Sequence, residues 1–193
     1  MSRGRCSRAP EGVAAEVAAR YRAMLPVLET ERLVLRVPEV EDFALWVRIF
    51  AEPGAEWIGG PLSPEEAWDG FAGQTACWLL HGHGPFVLHR RSDGARLGFV
   101  FLCYEWEDEE PELGWFLAHE FRNQGYGREA GEAVRDWGLT LLPTFVSCVN
   151  PENEASTRLA RGLSATLDKP ASARLDTGIW RHGSLPQAEA SAR

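Results

Sequence analysis

The chain lacks any apolar run of about 18 residues, the length a helix needs to cross a bilayer, so no membrane partner is predicted. It lacks an excess of positive charge. Lysine and arginine number 20 against 28 aspartates and glutamates, a formal net charge of -8. That excludes a nucleic-acid partner held by phosphate neutralisation and suits a cationic acceptor. Cysteines are few, and Cys6, Cys77, Cys103 and Cys148 form no Cys-x-x-Cys pair. This excludes a disulfide framework and a zinc site and predicts reduced thiols in a cytoplasmic setting. Cys103 and Cys148 sit in apolar strand-like runs and are predicted to be buried. His81 and His83 stand in a glycine-rich turn without further ligands, so no metal is predicted. There is no apolar stretch of a secretory signal, no internal repeat and no linker between domains.

What is present fits one domain. At 193 residues, 45% hydrophobic and 25% charged, the chain has the length and composition of a globular unit. Residues 1–26 carry Arg3, Arg5, Arg8, Arg20 and Arg22 with little apolar mass and read as a disordered extension. Residues 27–182 read as the domain and 183–193 as a polar tail. Leu28–Val37 alternates as a strand. A helix follows over Glu41–Phe50, and Ser63-Pro64-Glu65-Glu66 is a capping box opening a helix to about Leu80. Phe86–Arg90 and Arg96–Tyr104 read as a hairpin closed by Ser92-Asp93-Gly94. After the acidic loop Glu105–Glu110 come a strand at Glu112–Ala118, a helix from Gly125 and a strand at Phe145–Val149. The helix from Gly125 has a core face of Tyr126, Ala130, Ala133, Val134, Trp137 and Leu141. A helix capped by Asn153 and a strand over Leu175–Arg181 complete the order.

The chemistry concentrates in Arg122-Asn123-Gln124-Gly125-Tyr126-Gly127, between a strand and a helix. Two glycines let the backbone turn and approach a ligand. The helix start presents unpaired N–H groups and about half a positive charge. Arg122 and Arg128 add full charges, and together these make a pyrophosphate site. No Gly-Lys-Ser/Thr triplet is present to make a Walker loop. Gly125-x-Gly127-x-x-Ala130 matches a dinucleotide fingerprint, but the loop before it is long, and Asn150 stands where an acidic residue is required.

The same stretch resembles the Arg/Gln-x-x-Gly-x-Gly/Ala acetyl-CoA motif of GNAT acetyltransferases. Leu28-Glu29-Thr30-Glu31-Arg32-Leu33-Val34-Leu35-Arg36 resembles the opening strand of the branch that includes the ribosomal-protein alanine acetyltransferases. Glu112-Leu113-Gly114-Trp115 resembles that branch's fourth strand, and Asn153-x-x-Ser156-x-x-Leu159 its last helix. The resemblance covers residues 27–168. It implies an α/β fold: a mixed, mostly antiparallel sheet of six to seven strands with a splayed central parallel pair and about four flanking helices. It also implies acetyl-CoA as acetyl donor and an amine acceptor, either a small molecule or a protein N-terminus, and it leaves a homodimer open.

Carried over residue by residue, the backbone of Phe116, Leu117 and Ala118 would hold pantetheine. Arg122, Asn123, Gln124, Gly125, Tyr126, Gly127 and Arg128 would hold the pyrophosphate, and Asn153 would bond the cofactor from the other side. Gly114 stands where the family carries a bulge. The Leu117 amide would polarise the thioester carbonyl. Glu112 is the expected base and Ser156 the expected proton donor to the leaving thiolate. A base matters because neutralising a lysine amine at pH 7 costs about 4–5 kcal/mol, and an α-amine about 1 kcal/mol. Two departures stand out. Ala160 occupies the place of a tyrosine proton donor in many relatives, and Leu163-Ser164-Ala165 replaces Leu-Gly-Phe. They keep a second reading open, a GNAT fold that binds acyl-CoA without catalysis. Trp57, Trp106 and the acidic loop read as packed or solvated loop features, with lining of an acceptor pocket as the alternative.

Overall fold

A computed structural model describes residues 5–184, so the polar tail expected from 183 lies almost wholly outside the described residues. One mixed sheet organises the domain. Its strands are β1 (Leu28–Glu29), β2 (Leu33–Arg36), β3 (Pro85–Arg90), β4 (Arg96–Cys103), β5 (Glu112–Leu117), β6 (Thr144–Val149), β7 (Thr166–Leu167) and β8 (Gly178–Gly183), in the spatial order β1-β2-β3-β4-β5-β6-β8-β7. Every neighbouring pair is antiparallel except β5 and β6. This is the mixed α/β sheet with a central parallel pair that the sequence predicts. The strands beyond the expected number are short. The run from Leu28 turns back on itself at Thr30, whose N–H donates to the Leu33 carbonyl at 3.0 Å, and β7 adds two residues at the far edge.

The helices among the described residues are α1 (Gly12–Ala23), α2 (Phe43–Ile49), α3 (Pro64–Leu80), α4 (Tyr126–Gly138), α5 (Glu154–Gly162) and α6 (Lys169–Leu175). Strand alternation sorts the core onto two faces. Leu88, Val100, Leu102 and Leu113 meet Tyr126, Ala130 and Val134 of α4 on one side. Val87, Phe99, Phe101 and Phe116 meet Trp46, Phe50 and Phe71 of α2–α3 on the other. The central strands are apolar at successive positions because both faces are covered.

Two helices depart from the sequence reading. Residues 12–23, expected as disordered, form α1, an alanine-rich helix that buries none of its residues. Good local propensity makes it, and the missing apolar face hides it from a periodicity argument. Its Arg22 reaches Glu39 at 3.5 Å. Helix α6 had a visible signal: Asp168 caps it, accepting the Ala171 N–H at 3.1 Å, with proline in the first turn.

The departure at Ser164 has a local cost. It takes φ 60° at the end of α5, where its N–H donates to the Arg161 carbonyl at 3.0 Å. This left-handed position costs a residue with a Cβ about 1–2 kcal/mol, so the lost glycine strains the turn without abolishing it. Ser164→Gly is therefore expected to raise unfolding free energy by about 1 kcal/mol, read as a higher denaturation midpoint with unchanged slope.

Candidate active site

The site is built where β5 and β6 part. They share one bridge, Glu112 opposite Val146, with the Val146 N–H donating to the Pro111 carbonyl at 3.0 Å. A continued parallel ladder would next join the Cys148 N–H to the Leu113 carbonyl. Instead, side chains take both groups. Ser147 Oγ donates to the Leu113 carbonyl at 2.6 Å, and Glu112 Oε1 accepts the Cys148 N–H at 3.1 Å. The hydroxyl proton is thus committed, so Ser147 Oγ accepts from Nε2 of His182, 3.0 Å away on β8. His182 is buried against the Phe145 ring, and burial pushes its pKa down to about 4. It stays neutral, with its proton on Nε2. The strands therefore separate without stranding their backbone groups.

Ser147→Ala leaves the Leu113 carbonyl and the imidazole N–H buried without partners. The expected loss is about 1–3 kcal/mol of unfolding free energy, measured by denaturant titration.

Beyond the split, alternation decides which amides face the gap. The Ala118 N–H donates to the Leu97 carbonyl of the strand behind it at 2.9 Å. Even-numbered residues of β5 therefore point toward β4, and Trp115 and Leu117 point into the gap. Gly114 pairs with Phe101 in unbroken register, so the predicted bulge is not there. Its missing side chain serves another purpose, because a Cβ would lie 2.0 Å from the Phe101 ring.

The loop after β5 coils to present its backbone. Asn123 and Gly125 take left-handed φ of 59° and 83° immediately before α4. Gly127 lets α4 pass close to α5, since a Cβ there would be 3.3 Å from Leu159. The first hairpin holds the loop from outside. Arg32 Nη1 donates to the Gln124 carbonyl at 3.1 Å and Nε to Glu129 at 2.6 Å, and its guanidinium lies 4.4 Å over the Tyr126 ring. Glu129 also accepts from the Thr30 hydroxyl and the Arg32 N–H.

Two clefts meet at this split. One, about 400 Å³, runs from Trp115 and Leu117 along Asn123, Gly125 and Gly127. The other, about 240 Å³, lies on the side of Glu112, Glu105 and Cys148. Trp57, Ile58, Trp115, Phe116, Asn153 and Ser156 line both. In the second cleft, burial pushes the Glu112 carboxyl up to about 8, with Asp108 and Glu105 adding to the rise and the Cys148 N–H opposing it. On the shared wall, Ser156 Oγ accepts the Trp115 indole N–H at 3.3 Å, so its own proton is free to be given. Asn153 Oδ1 accepts the Ser156 N–H at 3.1 Å and fixes the start of α5.

The sequence profile of the Acetyltransferase (GNAT) domain matches residues 32–166, well over half of the chain. The chain belongs to the GNAT acetyltransferase family. A crystal structure of an acetyltransferase from Agrobacterium tumefaciens is 34% identical, with 83% of this chain and 95% of that one covered and a TM-score of 0.78. More distant structures share the fold. One is an acetyltransferase from Salmonella typhimurium that modifies the N-terminal serine of ribosomal protein L7/L12, 14% identical over 83% of this chain and 100% of that one, TM-score 0.66. Another is a ribosomal L7/L12 alpha-N-protein acetyltransferase in complex with coenzyme A, 14% identical over 81% and 97%, TM-score 0.64.

This GNAT acetyltransferase brings most of its predicted site residues together, with corrections. Phe116, Leu117, Arg122, Asn123, Gly125, Gly127, Arg128 and Asn153 line the larger cleft, and Glu112 and Ser156 flank the meeting point. Ala118 is fully buried, with its amide spent on Leu97. The Gln124 side chain turns back to the Glu120 carbonyl at 2.6 Å, and the Tyr126 ring packs beneath Arg32, so the side chains of these two residues are turned from the cleft. Arg122 is a clamp: Nε donates to the Leu117 carbonyl at 2.9 Å and Nη1 to the Pro53 carbonyl at 2.8 Å. Arg128, paired with Glu132 at 2.9 Å, is mostly exposed. Cys148, predicted buried, is exposed where the strands part.

The acidic loop is not simply solvated. Arg174 holds Glu109, and Arg181 holds Glu110. Trp57 lines both clefts, whereas Trp106 is 99% exposed. Sequence reasoning missed Arg32, Ser147, His182 and Gln74, each of which acts across a fold contact that leaves no local pattern. His83, read as a loop residue, is buried with Nδ1 2.7 Å from the Leu102 carbonyl. No helix among the described residues is long and apolar enough to cross a membrane, and no group of three or more potential metal ligands occurs among them.

Proposed function

We propose that this enzyme acetylates a primary amine, using acetyl-CoA as donor, by direct attack in a ternary complex in the cytoplasm. The observation that carries this reading is the wall shared by the two clefts, which brings the Ser156 hydroxyl and the Glu112 side of the strand split to one place. The larger cleft fits a CoA thioester. The Leu117 amide faces the gap, and Asn123, Gly125 and Gly127 line the cleft at the start of α4. Acetyl-CoA supplies an activated acetyl group, whose C–S bond breaks as the amine's C–N bond forms. Leu117 offers its N–H to the carbonyl oxygen, and Asn153 steadies the wall from α5.

Glu112 takes the amine proton. A carboxyl near 8 is matched to an α-amine far better than an ordinary carboxylate is, so proton transfer is nearly balanced. Ser156 offers its O–H as a hydrogen bond to the departing thiolate, which then takes its proton from solvent. Relatives that modify a protein N-terminus support an amine acceptor, a protein N-terminus or a small molecule, and the size of the second cleft favours a compact one. Mixing protein, acetyl-CoA and a panel of amines should release thiol in step with N-acetylated product, and calorimetry should show CoA binding. Absence of both CoA affinity and thiol release would overturn the proposal.

A further inference from the structure

The second cleft holds a polar pair that the transfer chemistry does not use. Gln74, on α3, is 8% exposed and lines that cleft. Its Nε2 donates to Glu105 Oε1 at 2.8 Å, which fixes the orientation of the amide. Its Oε1 is buried and has no hydrogen-bond partner. An unpaired buried acceptor is costly, so a native protein normally satisfies it with a ligand or water. Beside it stands the Glu105 carboxylate, an acceptor only. Of the neighbouring acids, Glu109 is neutralised by Arg174 and Glu110 by Arg181, whereas Asp108 meets only the Glu105 N–H, at 2.6 Å, and the Glu105 carboxylate meets an amide. Two acceptors side by side, one of them charged, complement a group with several N–H donors and a positive charge. The cleft also includes Phe50, Trp57, Phe101 and Trp115, rings whose faces attract cations.

We infer that Gln74 and Glu105 form an anchor for a second cationic nitrogen, so that the acceptor is a compact amine bearing two nitrogen groups. One nitrogen reacts near Glu112 while the other, an ammonium or amidinium, binds the Gln74–Glu105 pair. This rests on the acetyl-transfer reading for the role of Glu112 but adds a separate binding determinant. The acid loop is tethered to α6 and β8, so the anchor is presented by fixed elements.

The test compares 1,4-diaminobutane with n-butylamine, equal in chain length and differing in the second nitrogen. Wild-type kcat/KM is expected to favour the diamine by about 100-fold. Glu105→Gln, at an exposed backbone position, and Gln74→Leu should each pull that ratio down at least about tenfold. Thermal melts would confirm that both variants fold. Calorimetric titration of the diamine into the CoA-loaded protein should show binding that Glu105→Gln weakens by a similar factor. Equal kcat/KM for the two amines, a ratio unmoved in both folded variants, or a strong preference for a peptide over both amines would overturn the anchor. If no amine releases thiol, the acetyl-transfer reading fails, and the calorimetric arm alone decides the anchor: diamine binding sensitive to Glu105 sustains it, and absence of binding ends it.

Discussion

Glu112→Gln is expected to lower kcat by about 1,000-fold while leaving CoA affinity intact, because it removes the proton acceptor and keeps its shape. The amide oxygen can still accept the Cys148 N–H, so the strand split should survive. The pH profile separates a base from a merely structural carboxylate. Glu112 works deprotonated, and burial holds its folded-state pKa at about 8. With an acceptor whose own amine stays neutral over the range, wild-type kcat/KM should rise with pH and level off above about 8. The variant should show no such limb.

Stability should move the other way. A carboxyl whose pKa climbs from an ordinary 4.5 to about 8 on folding binds its proton more tightly in the native state. Wild-type stability therefore falls as pH rises between those values, and glutamine feels no such loss. Above pH 7 the variant should melt higher than wild type. A variant that is inactive and also less stable at pH 8 would remove Glu112 from the proposed role.

Gly125→Val is the second large effect, aimed at the cofactor cleft. Gly125 sits at φ 83°, and a Cβ there would come 3.2 Å from Arg32 Nη2, on the side chain that holds the loop. A β-branched residue in the left-handed region costs about 1–3 kcal/mol, which the loop can escape only by uncoiling. Uncoiling moves the backbone of Asn123, Gly125 and Gly127 from the cleft wall and unseats Arg32 from the Gln124 carbonyl. CoA affinity by calorimetry should fall about 10- to 100-fold. The folded core should remain, because α4 buries Ala130 and Val134 further along. Unchanged CoA affinity in a folded Gly125→Val protein would show that this loop does not hold the diphosphate.

Much of the domain could be read without its structure because the signals are local. The Ser63–Glu66 capping box, the turn at Ser92-Asp93-Gly94 and the apolar face of α4 from Tyr126 to Trp137 each lie within a few turns of chain and appear as expected, whereas Leu141, expected on that face, falls beyond the helix and is exposed. The glycine loop was legible for the same reason, since positive φ and close approach are properties of single residues. The disorder expected over residues 12–23 failed because helix propensity needs no apolar face.

The amino-acid sequence by itself determined the order of elements from β2 to α5, the apolar face of α4 and the glycine turn that starts it. Only the tertiary structure decided how β5 and β6 are held apart, by Ser147 on Leu113 and Glu112 on Cys148. It alone turned Arg122 into a backbone clamp, set Arg32 across the loop and put Gln74 against Glu105. Periodicity says which face of a strand or helix is buried. It carries no information about which residue stands opposite across 30 to 100 positions of chain, because that is set by register and packing among all the elements at once.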